Sequence, residues 1–339
     1  MKILHTEVQK SVIQKPTKFE VLREVNKRDG LHGFPKLAGE YERLNKGYEG
    51  EAMFIHFLKA YGANHWVILR NIWFEYFGEF EIDVLLITRA GIYGFEVKNY
   101  TGVLELQNNQ CKRNGEVIGH DPFSQAQRIA ANSSGIFKRL SNQWKIQTVL
   151  TFIGENNKLK VHDSVDGIEV ISRNELYFFT QQIMKEESNH MSHPLEIQSV
   201  LSALSGYEIS GPSKEKKISN EVKENIYRGI ICCNCGNQHL NTRKSYMICS
   251  CGMHEPREEA ILRTICEYGV IYSDRDLKTT DLFHFFGGEI SRKTISRYLN
   301  KFFKRKGTGA GTKYENLSVP IENVHDYFKL SQPKYLRLS

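Results

Sequence analysis

Between Glu81 and Gly102 the chain reads EIDVLLITRAGIYGFEVKNYTG. Two apolar runs, IDVLLIT and GIYGFEV, flank Arg89-Ala90-Gly91, which predicts a β-hairpin. Inside these strands stand three charged residues, Asp83, Glu96 and Lys98. A buried polar group without a partner costs roughly 2–7 kcal/mol, and an unpaired charge costs more, so such residues need compensation. Side chains alternate along a strand, so Glu96 and Lys98 project from one face. With the turn centred on Arg89-Ala90, Asp83 lies opposite Glu96; a bulge at Gly91 would shift this pairing by one residue. Two opposed carboxylates repel unless a cation sits between them. Oxygen ligands of this kind suit Mg²⁺ or Mn²⁺, and Lys98 beside them would stabilise developing negative charge or orient an attacking water. The same residues admit a second reading, a structural ion pair of Lys98 with one carboxylate. Glu81, two residues before Asp83, is expected on the same face and is a further candidate ligand.

The elements that must position these charges follow from periodicity. Residues 1–36 are polar and read as an N-terminal arm. From Gly47, GYEGEAMFIHFLKAYG spaces Ala52, Phe54-Ile55 and Leu58 as a helix that Gly62 closes. Strands are predicted near 66–72, 81–88, 92–98 and 102–107. A helix follows over 124–140, then strands at 148–154 and 168–172, then a helix from Arg173. This order predicts a mixed α/β sheet domain over residues 37–206. The polar, Lys/Glu/Ser-rich stretch 207–227 reads as a linker.

The segments GYEGE (47–51), EIDVLLIT, GIYGFEVKNYTG and DPFSQAQ (121–127) occur in the order and spacing of the NERD, or nuclease-related, domain, which this region resembles. The resemblance covers about 47–155. It implies a restriction-endonuclease-like core of the PD-(D/E)xK nuclease superfamily. It also implies Glu51 as a helix-borne acidic residue, Asp83 as the metal-binding aspartate, Glu96 and Lys98 as the E-x-K half, and Gln125 as the glutamine after the core strands. From the residues alone, Glu51 in a first helical turn would equally serve the helix dipole, and Gln125 would equally be a surface glutamine. His120 reads as a turn residue.

Five of the seven cysteines, Cys232, Cys233, Cys235, Cys249 and Cys251, fall within residues 228–255. Cys232-x2-Cys235-Gly and Cys249-x-Cys251-Gly predict a zinc ribbon with four thiolates around a structural Zn²⁺. Gly236 and Gly252 supply the positive φ that such knuckles need. The short second pair leaves Cys233, His239 and His254 as alternative ligands. A redox dithiol at C-x-x-C is the other reading, without the βαβ context it calls for.

The formal net charge of +7 is localised. Residues 1–227 carry 28 basic and 28 acidic side chains, whereas residues 228–339 carry 18 and 11. From Ile290 to Tyr314 eight residues are basic and none is acidic, which points to a polyanion such as nucleic acid. Three helical segments and a glycine-rich basic turn over 256–320 resemble a winged helix-turn-helix, with residues 321–339 as a tail. Ile295, Leu299 and Phe302 mark the inner stripe of the third helix. Arg292, Lys293, Arg297, Lys301, Lys304, Arg305 and Lys306 are the candidate DNA contacts. A small helical protein-interaction domain is the alternative.

Together these features predict a Mg²⁺- or Mn²⁺-dependent nuclease acting on DNA, cytoplasmic and bacterial. The rival is a catalytically inactive DNA-binding or adaptor protein that keeps the nuclease fold. No membrane span or signal peptide is expected. A helicase partner is not readable from the sequence.

Overall fold

A computed structural model describes residues 16–318, apart from 108–109, 120, 141–144, 163–166, 190–195, 210 and 212–217. His120 and the 321–339 tail therefore lie outside the described residues. The chain divides into two compact units. The first holds the described residues from 44 to 211, and the second those from 16 to 43 and from 218 to 318. The described part of the expected arm, residues 16–36, is not irregular. It forms helix α1 (Lys18–Lys27), whose Thr17 and Glu20 make a reciprocal capping box, and then the start of α2 (Pro35–Tyr61).

The first unit is built on a mixed six-stranded sheet. Strands β1 (Val67–Glu75), β2 (Glu79–Ile87) and β3 (Ile92–Lys98) run antiparallel in sequence. A small second sheet follows, from β4 (Gly102–Gln107), β5 (Gln110–Arg113) and β6 (Glu116–Val117). Helix α3 (Pro122–Leu140) leads to β7 (Ile146–Phe152), which pairs parallel with β3. Strand β8 (Asn157–Val161) joins the second sheet beside β4. Strand β9 (Ile168–Ser172) then pairs with β7, followed by α4 (Leu176–Asn189) and α5 (Ile197–Leu204). The expected linker contributes an edge strand, β10 (Glu208–Ile209), paired with β1. The order is β10-β1-β2-β3-β7-β9 in the main sheet and β6-β5-β4-β8 in the other.

Both faces of the main sheet are covered. Phe54 and Leu58 of α2, with Leu176, Phe179 and Ile183 of α4, pack on Val84, Leu86, Phe95, Val97 and Val149. On the opposite face Ile129, Ile136 and Phe137 of α3 meet Ile82, Leu85, Ile87 and Ile92. The hairpin turn is anchored by Glu187 of α4, whose carboxylate accepts from the Arg89 N–H at 2.7 Å and Trp66 Nε1 at 2.9 Å.

The second unit continues with α6 (Asn220–Glu224) and a three-stranded sheet of β11 (Asn241–Thr242), β12 (Tyr246–Ile248) and β13 (His254–Pro256). Helices α7 (Arg257–Ile271), α8 (Thr279–Phe285) and α9 (Arg292–Phe302) precede a hairpin of β14 (Arg305–Lys306) and β15 (Lys313–Tyr314). Tyr314 also bridges to Leu277, in the connection between α7 and α8. Gly287 and Gly288 at φ 60° and 80° end α8, and the Ser291 hydroxyl caps α9 through the Thr294 N–H at 3.2 Å.

A buried charge network holds this unit together. Arg28, fully buried, donates to the carbonyls of Tyr227 at 3.1 Å and Gly229 at 2.9 Å and pairs with Glu267. Glu267 also pairs with Arg263, which binds Glu255 at 2.8 Å and the Ile231 carbonyl at 2.8 Å. Burial opposes ionising Glu267, but the Arg263 and Arg28 guanidinium groups outweigh it and hold its carboxyl below the ordinary value. Truncating one member of such a network strands the others. Glu267→Ala should therefore destabilise the second unit by about 3–5 kcal/mol, measured as a fall in its urea midpoint. An unchanged midpoint would mean that the network contributes nothing net.

Candidate active site and metal centre

The β2–β3 ladder runs from Ile87–Ile92 to Val84–Phe95. This register puts Asp83 across from Glu96, with no shift at Gly91. Regular backbone pairing ends there, and the Asp83 side chain takes its place by accepting the Val97 N–H at 2.8 Å. Glu96, only 5 % exposed, pairs with Lys98 Nζ at 2.5 Å, so these two side chains do share a face.

Glu51 reaches the same cluster from α2. It lies deep in that helix and not in its first turn, because α2 begins at Pro35. The dipole explanation for this glutamate therefore does not apply. Gly50 permits the approach, since a Cβ there would stand 2.6 Å from Cβ of Asn99, the residue after Lys98. Asn99 fastens the contact by donating to the Lys46 carbonyl at 2.8 Å. Arg70 of β1 holds Glu51 at 2.9 Å, donates to the Tyr48 carbonyl at 3.1 Å and lies over the Tyr48 ring at 4.0 Å. Sequence reasoning missed Arg70; the signal was a lone cation inside WVILRNI.

Burial and mutual repulsion raise the carboxyl pKa values of Asp83, Glu51 and Glu81. Asp83 is pushed well above the ordinary aspartate value, first by burial and then by Glu96 and Glu51. Glu51 is raised by burial against the opposing pull of Arg70. Glu81 is raised to about 7 by burial, then by Glu51 and Glu96. Burial works against the Lys98 ammonium, but Glu96 and Asp83 prevail and raise its pKa. Lys98 is thus a hydrogen-bond donor at neutral pH and not a base. Carboxylate oxygens beside a fixed ammonium are of the donor type that suits a hard divalent cation. Gln125 stands in the first turn of α3, its Oε1 buried without a hydrogen-bond partner among the described residues.

In the second unit Cys232, Cys235, Cys249 and Cys251 bring their sulfurs within 4.8 Å of one another. Cys232–Cys251 is 3.7 Å and Cys235–Cys249 3.6 Å, close to the ~3.8 Å edge of a tetrahedron with ~2.3 Å Zn–S bonds. Gly236 and Gly252 take φ of 73° and 86°. The Met253 N–H, then Asn234 and Cys249, lower the Cys251 thiol to about 6. Cys233 is no ligand here: it faces Glu255 and Arg263, and burial raises its thiol to about 11. His239 and His254 are likewise outside the cluster. The four-cysteine cluster is compatible with zinc.

The basic residues of α9 and the following hairpin are exposed, but acids from elsewhere in the chain reach some of them. Lys301 pairs with Glu258 at 3.1 Å and Lys306 with Asp276 at 3.0 Å. Arg292 lies over the Phe283 ring at 4.8 Å, and Arg305 donates to the Thr312 hydroxyl at 3.2 Å. Among the described residues Lys293, Arg297 and Lys304 have no carboxylate partner. Ile295 and Leu299 are buried as expected, joined by Tyr298, whereas Phe302 is half-buried.

The raised carboxyl values have a definite consequence for stability. A carboxyl with a higher pKa folded than unfolded binds more protons in the folded state, so stability falls as pH rises through the folded value. Metal-free protein should lose stability in its first unit between about pH 4 and pH 7, the range from an ordinary carboxyl to Glu81. Added Mn²⁺ should restore it, increasingly so at higher pH. Thermal midpoints across this range, with chelator and with Mn²⁺, test this; a rising chelator curve would contradict it.

Among the described residues no helix is long and apolar enough to cross a membrane. No curated protein and no solved structure matches the chain. Residues 46–153, which span Glu51, Arg70, the charged hairpin and Gln125, match the family model NERD, described as a nuclease-related domain.

Proposed function

We propose that the first unit is a metal-dependent nuclease that hydrolyses DNA phosphodiester bonds. The observation that carries this reading is the convergence of Asp83 and Glu96, at the end of a broken ladder, with Lys98 and the helix-borne Glu51. Asp83 and Glu96 are the residues that would hold Mg²⁺ or Mn²⁺, which when bound neutralises phosphate charge and lowers the pKa of a bound water. Lys98, kept as an ammonium, would donate a hydrogen bond to an attacking water or a non-bridging phosphate oxygen and oppose the negative charge that grows there. Glu51, steadied by Arg70, adds a further oxygen group from α2. Gln125 is the proposed orienting residue on α3.

The cysteine cluster would hold a structural Zn²⁺. We infer a winged-helix-like role for the helices and hairpin that follow, with α9 presenting its cations to DNA. The rival reading, a DNA-binding adaptor that keeps the fold, draws support from the Lys98–Glu96 ion pair, which also satisfies both charges without a metal.

Cleavage assays separate the two. Asp83→Asn or Lys98→Ala should abolish Mg²⁺- or Mn²⁺-dependent cleavage of linear, circular or single-stranded DNA. Thermal stability of the Asp83→Asn variant should be equal or higher, because carboxylate crowding is relieved. Wild-type protein without activity on any of these substrates would favour the adaptor.

DNA affinity should depend on salt through the cations left without acidic partners. If Lys293, Arg297, Lys304 and Arg305 contact phosphate, log K should fall with log salt with a slope of about −3.6. Lys293→Ala combined with Arg297→Ala should reduce that slope by about 1.8. An unchanged slope for one duplex over a salt series would remove α9 from the DNA interface.

A further inference from the structure

The strand beside the charged hairpin carries a local irregularity. Six described non-glycine residues have positive φ: Asp29, Asn71, Phe77, Asn114, Asn156 and Ser318. Five lie in turns or loops, and Asn71 alone, at φ 51°, lies inside a strand. Its position in the β1–β2 register is between Arg70–Val84 and Ile72–Ile82, directly across from Asp83.

The side-chain alternation of both strands breaks at this pair. Val67, Leu69, Ile72 and Phe74 of β1 pack in one core, so the period of two slips between Leu69 and Ile72. Phe80, Ile82, Leu85 and Ile87 of β2 join the same core, so the slip recurs between Ile82 and Leu85. Because each strand gives up one residue, the register is the same on both sides. Paired irregularities of this kind re-aim side chains beside functional sites.

Glycine would adopt the left-handed conformation without strain, and asparagine in a bend commonly bonds its own backbone or faces water. Asn71 does neither through its carbonyl. Its Oδ1 is shut off from solvent and has no hydrogen-bond partner among the described residues. A buried amide oxygen left in this way is costly unless something else satisfies it.

We propose that Asn71 is a neutral oxygen ligand of the divalent-cation centre, binding through Oδ1 beside Asp83. This rests on the metal-centre reading of Asp83 and Glu96 given above. An amide oxygen suits a hard cation and adds no further negative charge to Glu51, Glu81, Asp83 and Glu96. Asn71 thereby satisfies its own orphan oxygen and limits the repulsion among the acids in the metal-free protein.

The test is Mn²⁺ binding to the full chain, read by electron paramagnetic resonance and by Mn²⁺-induced shift of the thermal midpoint. Asn71→Gly keeps the backbone conformation and deletes the oxygen. It should fold with an equal or higher midpoint in chelator, yet bind Mn²⁺ at least tenfold more weakly than wild type. Asn71→Asp keeps an oxygen at the site and should bind Mn²⁺ at least as tightly as wild type at pH 8, with a lower midpoint in chelator. Wild-type affinity in Asn71→Gly, or weakened affinity in Asn71→Asp, would overturn the assignment. Asp83→Asn, which should lose Mn²⁺ binding, separates the two levels. If it binds Mn²⁺ like wild type, the metal centre itself is wrong and the Asn71 proposal falls with it.

Discussion

The organising constraint of the first unit is the confinement of like charge. Glu51, Glu81, Asp83 and Glu96 are brought together, burial opposes the ionisation of the first three, and Lys98 pairs with Glu96 among them. Such a cluster persists only if the surrounding frame is strong enough to impose it. That frame is the six-stranded sheet with its helices on both faces. Glu51 is delivered by a helix brought close at Gly50 and is steadied by Arg70, whereas Asp83 and Glu96 stand where the β2–β3 ladder has stopped. The β2–β3 ladder is regular between Ile87–Ile92 and Val84–Phe95 and stops where Asp83 and Glu96 begin, while β3 keeps its pairing with β7 through Lys98. Stability and chemistry are thus divided along the length of the same two strands.

The second unit meets a different constraint, since its sheets are two or three short strands. Few apolar residues can be buried by a segment such as 228–255, and a metal bound to four thiolates would supply folding energy that a core cannot. The buried arginine–glutamate network extends the same logic to α1. Arg28 satisfies backbone carbonyls just before the cysteine knuckles and shares Glu267 with Arg263. A polar N-terminal segment is in this way made part of a unit whose other residues lie some two hundred positions later.

Much of this was legible in the sequence where local rules suffice. The Arg89-Ala90 turn set the hairpin register, and the apolar runs located the central strands and α3. Glycine after each cysteine pair marked the knuckles. The start of α2 was not legible, because Pro35–Lys46 has no apolar stripe and Gly39 and Gly47 read as breaks. The partners of Lys301 and Lys306 were invisible for another reason: Glu258 and Asp276 lie outside the basic run and meet it only through the fold. The buried pairing of Arg28 with Glu267 is equally non-local.

The failure of strict alternation in β1 and β2 is the most informative departure. Period-two reasoning places Glu81 and Asp83 on one face, but the core positions Phe80, Ile82, Leu85 and Ile87 require a slip between Ile82 and Leu85. A strand that served only to fill the core would gain nothing from this slip, which gives up regular pairing and holds an asparagine at positive φ. Local irregularity that a fold tolerates at a cost tends to collect where function demands it. Here it coincides with the residue opposite Asp83, with the end of the β2–β3 ladder and with an amide oxygen that no described residue satisfies. Two departures from regular sheet geometry and one orphan oxygen, all within one step of the same aspartate, have a common explanation if they shape the surroundings of a bound cation.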